Sequence, residues 1–290
     1  MINLLVALQA EAKPLIRHFA LKGLAPVAGF RRYGNGNITL LVTGVGSVAM
    51  AAGTMALGLA ANKAAGQFAE TSSGQTIDRP ERLHGWINIG IAGHKNLPVG
   101  TPVLAGKITD HASGLGWYPP QVLNTGVEVV TLLTVARPVT DYPETTIVEM
   151  EASGYFVTAC RFSVAEFVHC FKVVSDNEET SADRLTADLV SELVASATGA
   201  LDALVGELST QLAGDADHLV ELPELALFLQ RFRFSRTQQH QLVRLLSDHR
   251  LLCKQAATVE SFIDVRRATE LLAALDTRLA VERRRYLLPS

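Results

Sequence analysis

The chain has 290 residues, which is enough for one large domain, or for a domain with an appendage, and for an extensive buried core. Its composition is 48% hydrophobic and 19% charged, which is typical of a globular protein and excludes a disordered chain. The formal net charge of -3 gives no overall attraction to nucleic acid or to a membrane surface, so we expect neither as a partner.

The N-terminal residues and the cysteines indicate where the protein works. The first residues read as a strand and lack the basic segment and cleavage site of a secretory signal. The longest apolar run, residues 48–61, is interrupted by glycine and is shorter than the ~20 residues that a membrane span needs. The three cysteines lack the spacing of a metal site, and we expect them to be reduced. The sequence therefore predicts a soluble, cytoplasmic protein with no metal and no cofactor.

Strands and helices alternate in the first part of the chain. Residues 2–8 form a nearly continuous apolar strand, typical of a sheet that is buried on both faces. Glu11 follows it, at the start of a predicted helix. A second strand, residues 38–43, ends in Thr43-Gly44-Val45-Gly46-Ser47 and leads into a helix of small residues over 48–61.

The pattern continues to about residue 206. Residues 69–82 are polar and rich in turn formers, which predicts a surface loop. Further strands are predicted over residues 86–90, 102–109, 127–136, 146–150 and 168–175, and helices over 151–160 and 181–205. This alternation predicts a sheet that helices cover on both sides.

The composition changes after about residue 206. Residues 206–218 read as a linker, and almost all of the sequence beyond them reads as helix. Ser235 is a predicted helix N-cap, and Leu271, Leu272, Leu275 and Leu279 form an apolar stripe at helical spacing. We therefore predict a first domain over residues 1–206 and a helical C-terminal extension over 207–290.

The extension is basic. Residues 231–290 contain 12 Lys and Arg against 6 Asp and Glu, a net charge of +6. Interleaved aromatic residues and a recognisable nucleic-acid-binding motif are missing, so we do not expect a nucleic-acid partner. We expect amphipathic helices that dock on the main domain or on another subunit.

Acidic residues stand at or just past the ends of predicted strands. They are Glu11, the pair Glu149 and Glu151, and Asp176. Ligands of open α/β sheets bind beyond the carboxyl ends of strands, where loops converge. A carboxylate on a buried apolar run is costly unless it is paired or functional. The pattern favours a functional site at this edge of the sheet.

Structural explanations of the same residues stay open. The glycines of the turn after residue 43 are also what a tight strand-to-helix turn requires. One of Glu149 and Glu151 is equally explained as an acid at a helix N-terminus, where the helix dipole favours it. Helix capping is the structural alternative for Asp176, although Ser181 and Asp183 offer other caps further on.

Five segments, in this order and at this spacing, resemble the nucleoside phosphorylase superfamily, and most of all its methylthioadenosine/S-adenosylhomocysteine nucleosidases. They are Ala7-Leu8-Gln9-Ala10-Glu11, Thr43-Gly44-Val45-Gly46, Ile87-Asn88-Ile89-Gly90-Ile91-Ala92-Gly93, Val148-Glu149-Met150-Glu151-Ala152 and Val174-Ser175-Asp176-Asn177. Each segment alone is weak, but the ordered set over residues 1–206 is specific. The extension has no counterpart in this family.

The resemblance implies a three-layer α/β/α fold around a central mixed β-sheet, with a purine nucleoside bound at the carboxyl edge of the sheet. It implies that Asp176 protonates or hydrogen-bonds N7 of the purine and that Glu11 activates the attacking water. It also implies that Glu151 holds the ribose hydroxyls and that Met150 packs on the sugar. The other binding residues that it implies are Thr43 and Gly46 near the anomeric carbon, together with Glu149, Lys172 and Ser175.

The expected activity is hydrolysis of the N-glycosidic bond of a purine nucleoside or of a 5'-modified adenosine, such as methylthioadenosine or S-adenosylhomocysteine. A phosphate-dependent phosphorylase is one alternative. Where phosphorylases of the superfamily have an arginine and a serine for phosphate, this chain has Asn88 and Ile91, which favours water as the nucleophile. A nucleoside-binding module without activity is the other alternative. The resemblance also implies a homo-oligomer.

Two departures from the nucleosidases affect the expected substrate. The segment that supplies a base-stacking phenylalanine there reads Val135-Ala136-Arg137-Pro138-Val139-Thr140 here. Trp117 and Tyr118 are candidates for a replacement aromatic wall, or else belong to a surface patch. His94 stands where a small residue is usual, and we expect it to be a loop histidine.

Overall fold

Contacts divide the chain into two compact units. Unit 1 comprises Met1–Ala65 and Arg82–Asp215, and unit 2 comprises Gly66–Glu81 and Ala216–Ser290. The division predicted at residues 206 and 207 falls within a helix, Thr198–His218. The computed structural model describes residues 1–64, 69–70, 76–77, 84–139, 142–218 and 222–287.

Unit 1 is built on a mixed sheet, which has ten strands within the described residues. In chain order, the strands of the protein are β1 (Ile2–Val6), β2 (Lys22–Val27), β3 (Phe30–Gly34), β4 (Ile38–Val42), β5 (Ala69–Glu70), β6 (Thr76–Ile77), β7 (Gly85–Gly93), β8 (Pro102–Asp110), β9 (Gly116–Trp117), β10 (Glu128–Thr134), β11 (Thr146–Glu149) and β12 (Val168–Asp176). The order across the sheet is β11-β10-β8-β12-β7-β1-β4-β3-β2, and β9 pairs with β8. Strands β5 and β6 pair only with each other.

Four central strands of this sheet run in the same direction. Strand β1 pairs in parallel with β4 and with β7, and β7 pairs in parallel with β12. Their carboxyl ends therefore meet at one edge of the sheet, which is where ligands bind in such folds. Strand β12 is buried along its whole length, as expected for a strand that is covered on both faces.

Helices cover both faces of the sheet. They are α1 (Gln9–His18), α2 (Ser47–Ala64), α3 (Ala152–Ala159), α4 (Ala187–Ser196) and α5 (Thr198–His218). Apolar residues of α1, α4 and α5 pack with one face of the sheet, and those of α2 and α3 pack with the other. The predicted three-layer α/β/α arrangement with a mixed sheet is confirmed.

Three local predictions differ from the structure. Residues 206–218 are not a linker, because Leu208 and Leu212 are buried in the core and helix α5 continues to His218. The helix predicted over 181–205 is broken between Ser196 and Thr198. The hairpin β2–β3 was not predicted, because its largely exposed residues carry no buried apolar alternation. Most of the predicted loop 69–82 lies outside the described residues.

Unit 2 has a hydrophobic core of its own. Its helices are α6 (Pro223–Arg231), α7 (Arg236–Cys253) and α8 (Ala268–Leu287). The four leucines of the predicted stripe are buried in this core, together with Phe228 and Leu242. Ser235 caps α7 in a reciprocal pair with Gln238, whose amide N–H donates to the Ser235 hydroxyl. The helical extension is confirmed.

Among the described helices, none alone has the length and apolar composition to cross a membrane. Helices α4 and α5 meet that test only as a pair, with a bend of 54° between them.

Candidate active site

Glu11 lies in the first turn of α1, directly after β1, and is 2% exposed. Its Oε2 accepts the backbone N–H groups of Ala7 at 3.0 Å and Leu8 at 2.8 Å. Its Oε1 accepts the N–H of Ile91 on β7 at 3.2 Å. An ionised carboxylate has about four lone-pair sites, so these three donors leave one site on Oε1.

Burial raises the pKa of Glu11 from its usual 4.5 to about 7. The hydrogen bond from Leu8 and the charge of Lys172 oppose this rise, whereas the charge of Glu151 adds to it. A carboxyl group with a pKa near the working pH is suited to accept a proton in catalysis.

Glu149 ends β11, and protein donors fill both of its oxygens. Its carboxylate accepts the Thr134 hydroxyl at 2.5 Å, the N–H of Glu151 at 2.9 Å and the N–H of Ala152 at 2.9 and 3.0 Å. The ammonium of Lys172 lies 2.9 Å from its Oε2. Glu149 therefore caps the N-terminus of α3, which is the helix-terminal explanation that the sequence left open.

Glu151 connects the turn after β4 to the lysine. Its Oε1 accepts the N–H of Gly46 at 2.9 Å, and its Oε2 lies 3.7 Å from the ammonium of Lys172. Burial raises the pKa of Glu151, although Lys172 opposes the rise. Since each carboxylate oxygen has two lone pairs, Glu151 retains acceptor sites that Glu149 lacks.

The turn itself needs glycine. Gly44 and Gly46 have φ angles of +90° and +100°, a region that side chains with a Cβ rarely adopt. The Thr43 hydroxyl lies 3.2 Å from the carbonyl oxygen of Val6, so it faces the end of β1. The glycine turn therefore has a structural cause, and it also presents an amide to Glu151.

Lys172 on β12 is fully buried. Burial alone lowers its pKa, but Glu149 and Glu151 more than offset this, and the net shift raises the pKa above its usual 10.5. Gly90 of β7 leaves the space that this group needs. A Cβ there would lie 3.0 Å from the Oε1 of Glu11 and 3.3 Å from the Nζ of Lys172.

Asp176 ends β12, where the pairing with β7 shifts by one residue between Val174 and Asp176. Bulges of this kind re-aim side chains next to functional sites. The carboxylate Oδ1 accepts the hydroxyl of Ser175, and Oδ2 accepts the phenol of Tyr142. A Cβ at Gly93 would lie 2.6 Å from this Oδ2.

Two groups of predicted site residues lie along the last part of β7. Glu11 and Lys172 lie beside Gly90, and Asp176 lies beside Gly93, about 10 Å further along the strand at ~3.3 Å per residue. Met150 packs in a small apolar cluster with Tyr142. Thr43 and Gly46 stand at the adjoining turn.

Two contacts of the site were not found from the sequence. Thr134 and Tyr142 lie 15 and 34 residues from their partners Glu149 and Asp176, so no local pattern connects them. The two candidates for an aromatic wall have different surroundings. Tyr118 is 68% exposed, whereas Trp117 packs with the main core.

His94 holds its own loop together. Its Nδ1 accepts the backbone N–H groups of Asn96 and Leu97 at 3.0 and 2.9 Å, and burial lowers its pKa. Across the described ranges, no group of three or more His, Cys, Asp and Glu side chains is arranged to hold a metal ion.

Solved structures of nucleosidases share the fold of this chain. The 5'-methylthioadenosine/S-adenosylhomocysteine nucleosidase from Helicobacter pylori matches with a TM-score of 0.54 and 15% identity, over 71% of this chain and 97% of the enzyme. Futalosine hydrolase of Helicobacter pylori matches with a TM-score of 0.53 and 16% identity, over 71% and 97%. A 5'-methylthioadenosine nucleosidase of Arabidopsis thaliana matches with a TM-score of 0.52 and 16% identity, over 71% and 95%.

These likenesses confirm the predicted fold resemblance. Searches against protein-family models and against curated protein sequences found no match.

Proposed function

We propose that unit 1 is a purine nucleosidase, which uses water to cleave the N-glycosidic bond of a purine nucleoside or of a 5'-modified adenosine. The observation that carries this proposal is the state of Glu11. It is buried beside Glu151 and Lys172, its pKa is about 7, and one acceptor site of its carboxylate is free. A module that only binds a nucleoside has no use for such a base.

The reaction uses one side chain as a base and another as an acid. Glu11 takes a proton from water as the water oxygen forms a bond to the anomeric carbon. The bond from that carbon to the purine breaks, its electron pair passes to the base, and Asp176 gives a proton to N7. Exchange with solvent then returns the two side chains to their starting states. The sugar carries positive charge in between, which nearby carboxylates stabilise.

The acceptor sites that remain on each carboxylate indicate how the other site residues act. Glu151 has lone pairs left for the ribose hydroxyls, and Met150 packs on the sugar. Thr43 and Gly46 line the approach to the anomeric carbon. Glu149 has no acceptor site left, so it acts by holding Lys172 and the start of α3.

The charges favour water over phosphate. Lys172 is the one cation among the described site residues, and two carboxylates already hold it. A phosphate dianion entering beside Glu11 and Glu151 would meet negative charge without a free cation. The named activities of the structural neighbours, on methylthioadenosine, adenosylhomocysteine and futalosine, make 5'-modified nucleosides the first candidates.

An assay of base release tests the proposal. Methylthioadenosine, adenosylhomocysteine, adenosine and inosine are each incubated with the full chain, with and without phosphate. We expect the wild-type chain to release the base from at least one of these nucleosides without phosphate. The variants Asp176→Asn and Glu11→Gln should release no base from that nucleoside. Asp183→Asn, a change of an exposed acid seven residues beyond Asp176, is the matched control and should keep wild-type activity. Tight nucleoside binding without release would overturn the proposal in favour of a binding module.

We also propose that the protein works in the cytoplasm as a homo-oligomer. Exposed apolar residues on two neighbouring helices support the second point: Val48 is 83% exposed and Leu59 is 53% exposed on α2, and Val157 on α3 is 37% exposed. Light scattering on the purified chain tests it, and a monomer at micromolar concentration would contradict it.

A further inference from the structure

Tyr142 sets a phenol against the carboxylate of Asp176. Tyr142 is 8% exposed and packs with Val135 and Val148. It lies against the backbone of β7, where a Cβ at Gly93 would come within 2.5 Å of the ring Cε1. The glycine therefore provides the space that the ring and the carboxylate share, and the contact is part of the packed interior.

The hydroxyl of Tyr142 donates to Oδ2, while the hydroxyl of Ser175 donates to Oδ1. Two donors, one on each oxygen, fix the plane of the carboxyl group. Of about four lone-pair sites two remain, and one of them can carry the proton that Asp176 donates to N7. Tyr142 thus restrains Asp176 without using up its capacity to bind a ligand.

We propose that Tyr142 is a positioning residue for the proton transfer from Asp176 to the leaving base. This inference rests on the proposed nucleosidase function. Asp176 becomes negative as it gives up its proton, and a hydrogen bond to an ionised acceptor is stronger than one to a neutral acceptor. The contact from Tyr142 therefore stabilises the transition state more than the bound substrate, and such contacts raise kcat.

The phenol remains a donor throughout. Burial raises the pKa of Tyr142 above its usual value of 10, and the hydrogen bond to Asp176 adds to the shift. Tyr142 does not change its protonation state over the pH range in which a nucleosidase is assayed.

The first test is Tyr142→Phe, which removes the hydroxyl and keeps the packed ring. We expect kcat for a purine nucleoside to fall about 10- to 100-fold, as loss of a hydrogen bond to a charged acceptor implies. KM should change less than about twofold, because the contact is made mainly in the transition state. Tyr33→Phe, which removes a hydroxyl from a partly buried tyrosine of β3, is the control and should match wild type.

The second test changes the leaving group. The nitrophenolate of 4-nitrophenyl β-D-riboside leaves as a stable anion and needs no proton from Asp176. We expect Tyr142→Phe to slow nitrophenol release less than about twofold, since only the proton-transfer contact is lost. A purely structural role would slow both substrates equally, and that result overturns the inference. A fall in KM at unchanged kcat also overturns it, because it would show that the phenol obstructs the base.

The wild-type rates separate the two proposals. If the wild-type chain cleaves neither substrate, the proposed function fails and this inference fails with it. If the wild type cleaves a purine nucleoside and Tyr142→Phe cleaves it equally fast, only the role of Tyr142 is wrong.

Discussion

Three buried carboxylates share one lysine in the candidate site. Lys172 pairs with Glu149 and Glu151, and those two pairings leave the burial cost of Glu11 only partly compensated. Taking a carboxylate out of water without a full partner disfavours its charged form. That imbalance is the physical cause of a pKa of about 7 at Glu11.

The same shift makes stability depend on pH through Glu11. Its pKa is about 7 in the folded protein and 4.5 ordinarily, so between these values the unfolded chain releases a proton that the folded chain keeps. Wild type therefore loses up to roughly 3 kcal/mol of stability as the pH rises through this window, and Glu11→Gln does not. Urea unfolding of both proteins at pH 5, 6, 7 and 8 measures the difference. The stability of Glu11→Gln relative to wild type should increase as the pH rises. Parallel curves of stability against pH for the two proteins would refute the raised pKa of Glu11.

Removing the lysine should cost far more than removing a surface lysine. Lys172→Met leaves Glu149 and Glu151 buried without their cation, and breaking such pairs typically costs about 3–5 kcal/mol. The pKa of Glu11 should rise further, because the charge of Lys172 lowers it. Denaturation and the acid limb of the pH–rate profile measure both effects.

Lys95→Met is the matched control for this change. Lys95 pairs with the exposed Glu144 and Glu178, where solvent screens the charges. Its loss should leave stability and the pH profile almost unchanged, and an equal effect of the two changes would contradict the account.

Strand β7 is the element that organises the site. Two of its glycines, Gly90 and Gly93, leave room for Glu11, Lys172 and Asp176, and interior glycines in a buried strand commonly mark such close approaches. The bulge in β12 then sets Asp176 opposite Gly93.

Gly93→Ala should therefore displace Asp176 or Tyr142 and lower the activity. The added Cβ meets Tyr142 at 2.5 Å and Asp176 at 2.6 Å, and one of them has to move. We expect kcat to fall at least about tenfold and stability to fall by about 1–3 kcal/mol, as in other overpacked sites. Gly199→Ala on α5, with no atom within 4 Å of the added Cβ, should leave both unchanged or raise stability slightly. Wild-type kcat in the Gly93 variant would show that the contact is not needed.

Elements with a strong local pattern were predictable from the sequence, and those that depend on distant partners were not. Largely apolar runs predicted β1, β4 and β12, because a strand that is covered on both faces has few polar residues. Helix α5 was read as a linker after residue 206 because its glycine and polar residues outweighed the two leucines that it buries. The place of the acids followed from strand ends, whereas the contact from Tyr142 to Asp176 joins segments that no local periodicity relates.

The whole molecule contains a second hydrophobic core, which lies in unit 2. Every predicted site residue lies in unit 1, whereas α6, α7 and α8 bury their apolar residues with one another. Leu275→Ala removes a fully buried side chain from that core, which typically costs about 2–5 kcal/mol. Hydrogen exchange over residues 222–287 should become faster while kcat stays at the wild-type value. A loss of kcat would show that unit 2 supports the reaction.

The half-protonated state of Glu11 near pH 7 should also be visible in the heat of ligand binding. A ligand that carries a fixed positive charge in place of the sugar favours the ionised carboxylate, so its binding expels protons, up to about half a proton per chain at pH 7. Titration calorimetry in phosphate and in Tris would then report different apparent enthalpies for that ligand. An uncharged analogue of the same shape should give the same apparent enthalpy in both buffers. The difference between the two ligands therefore measures how strongly positive charge at the sugar position is coupled to ionisation of Glu11.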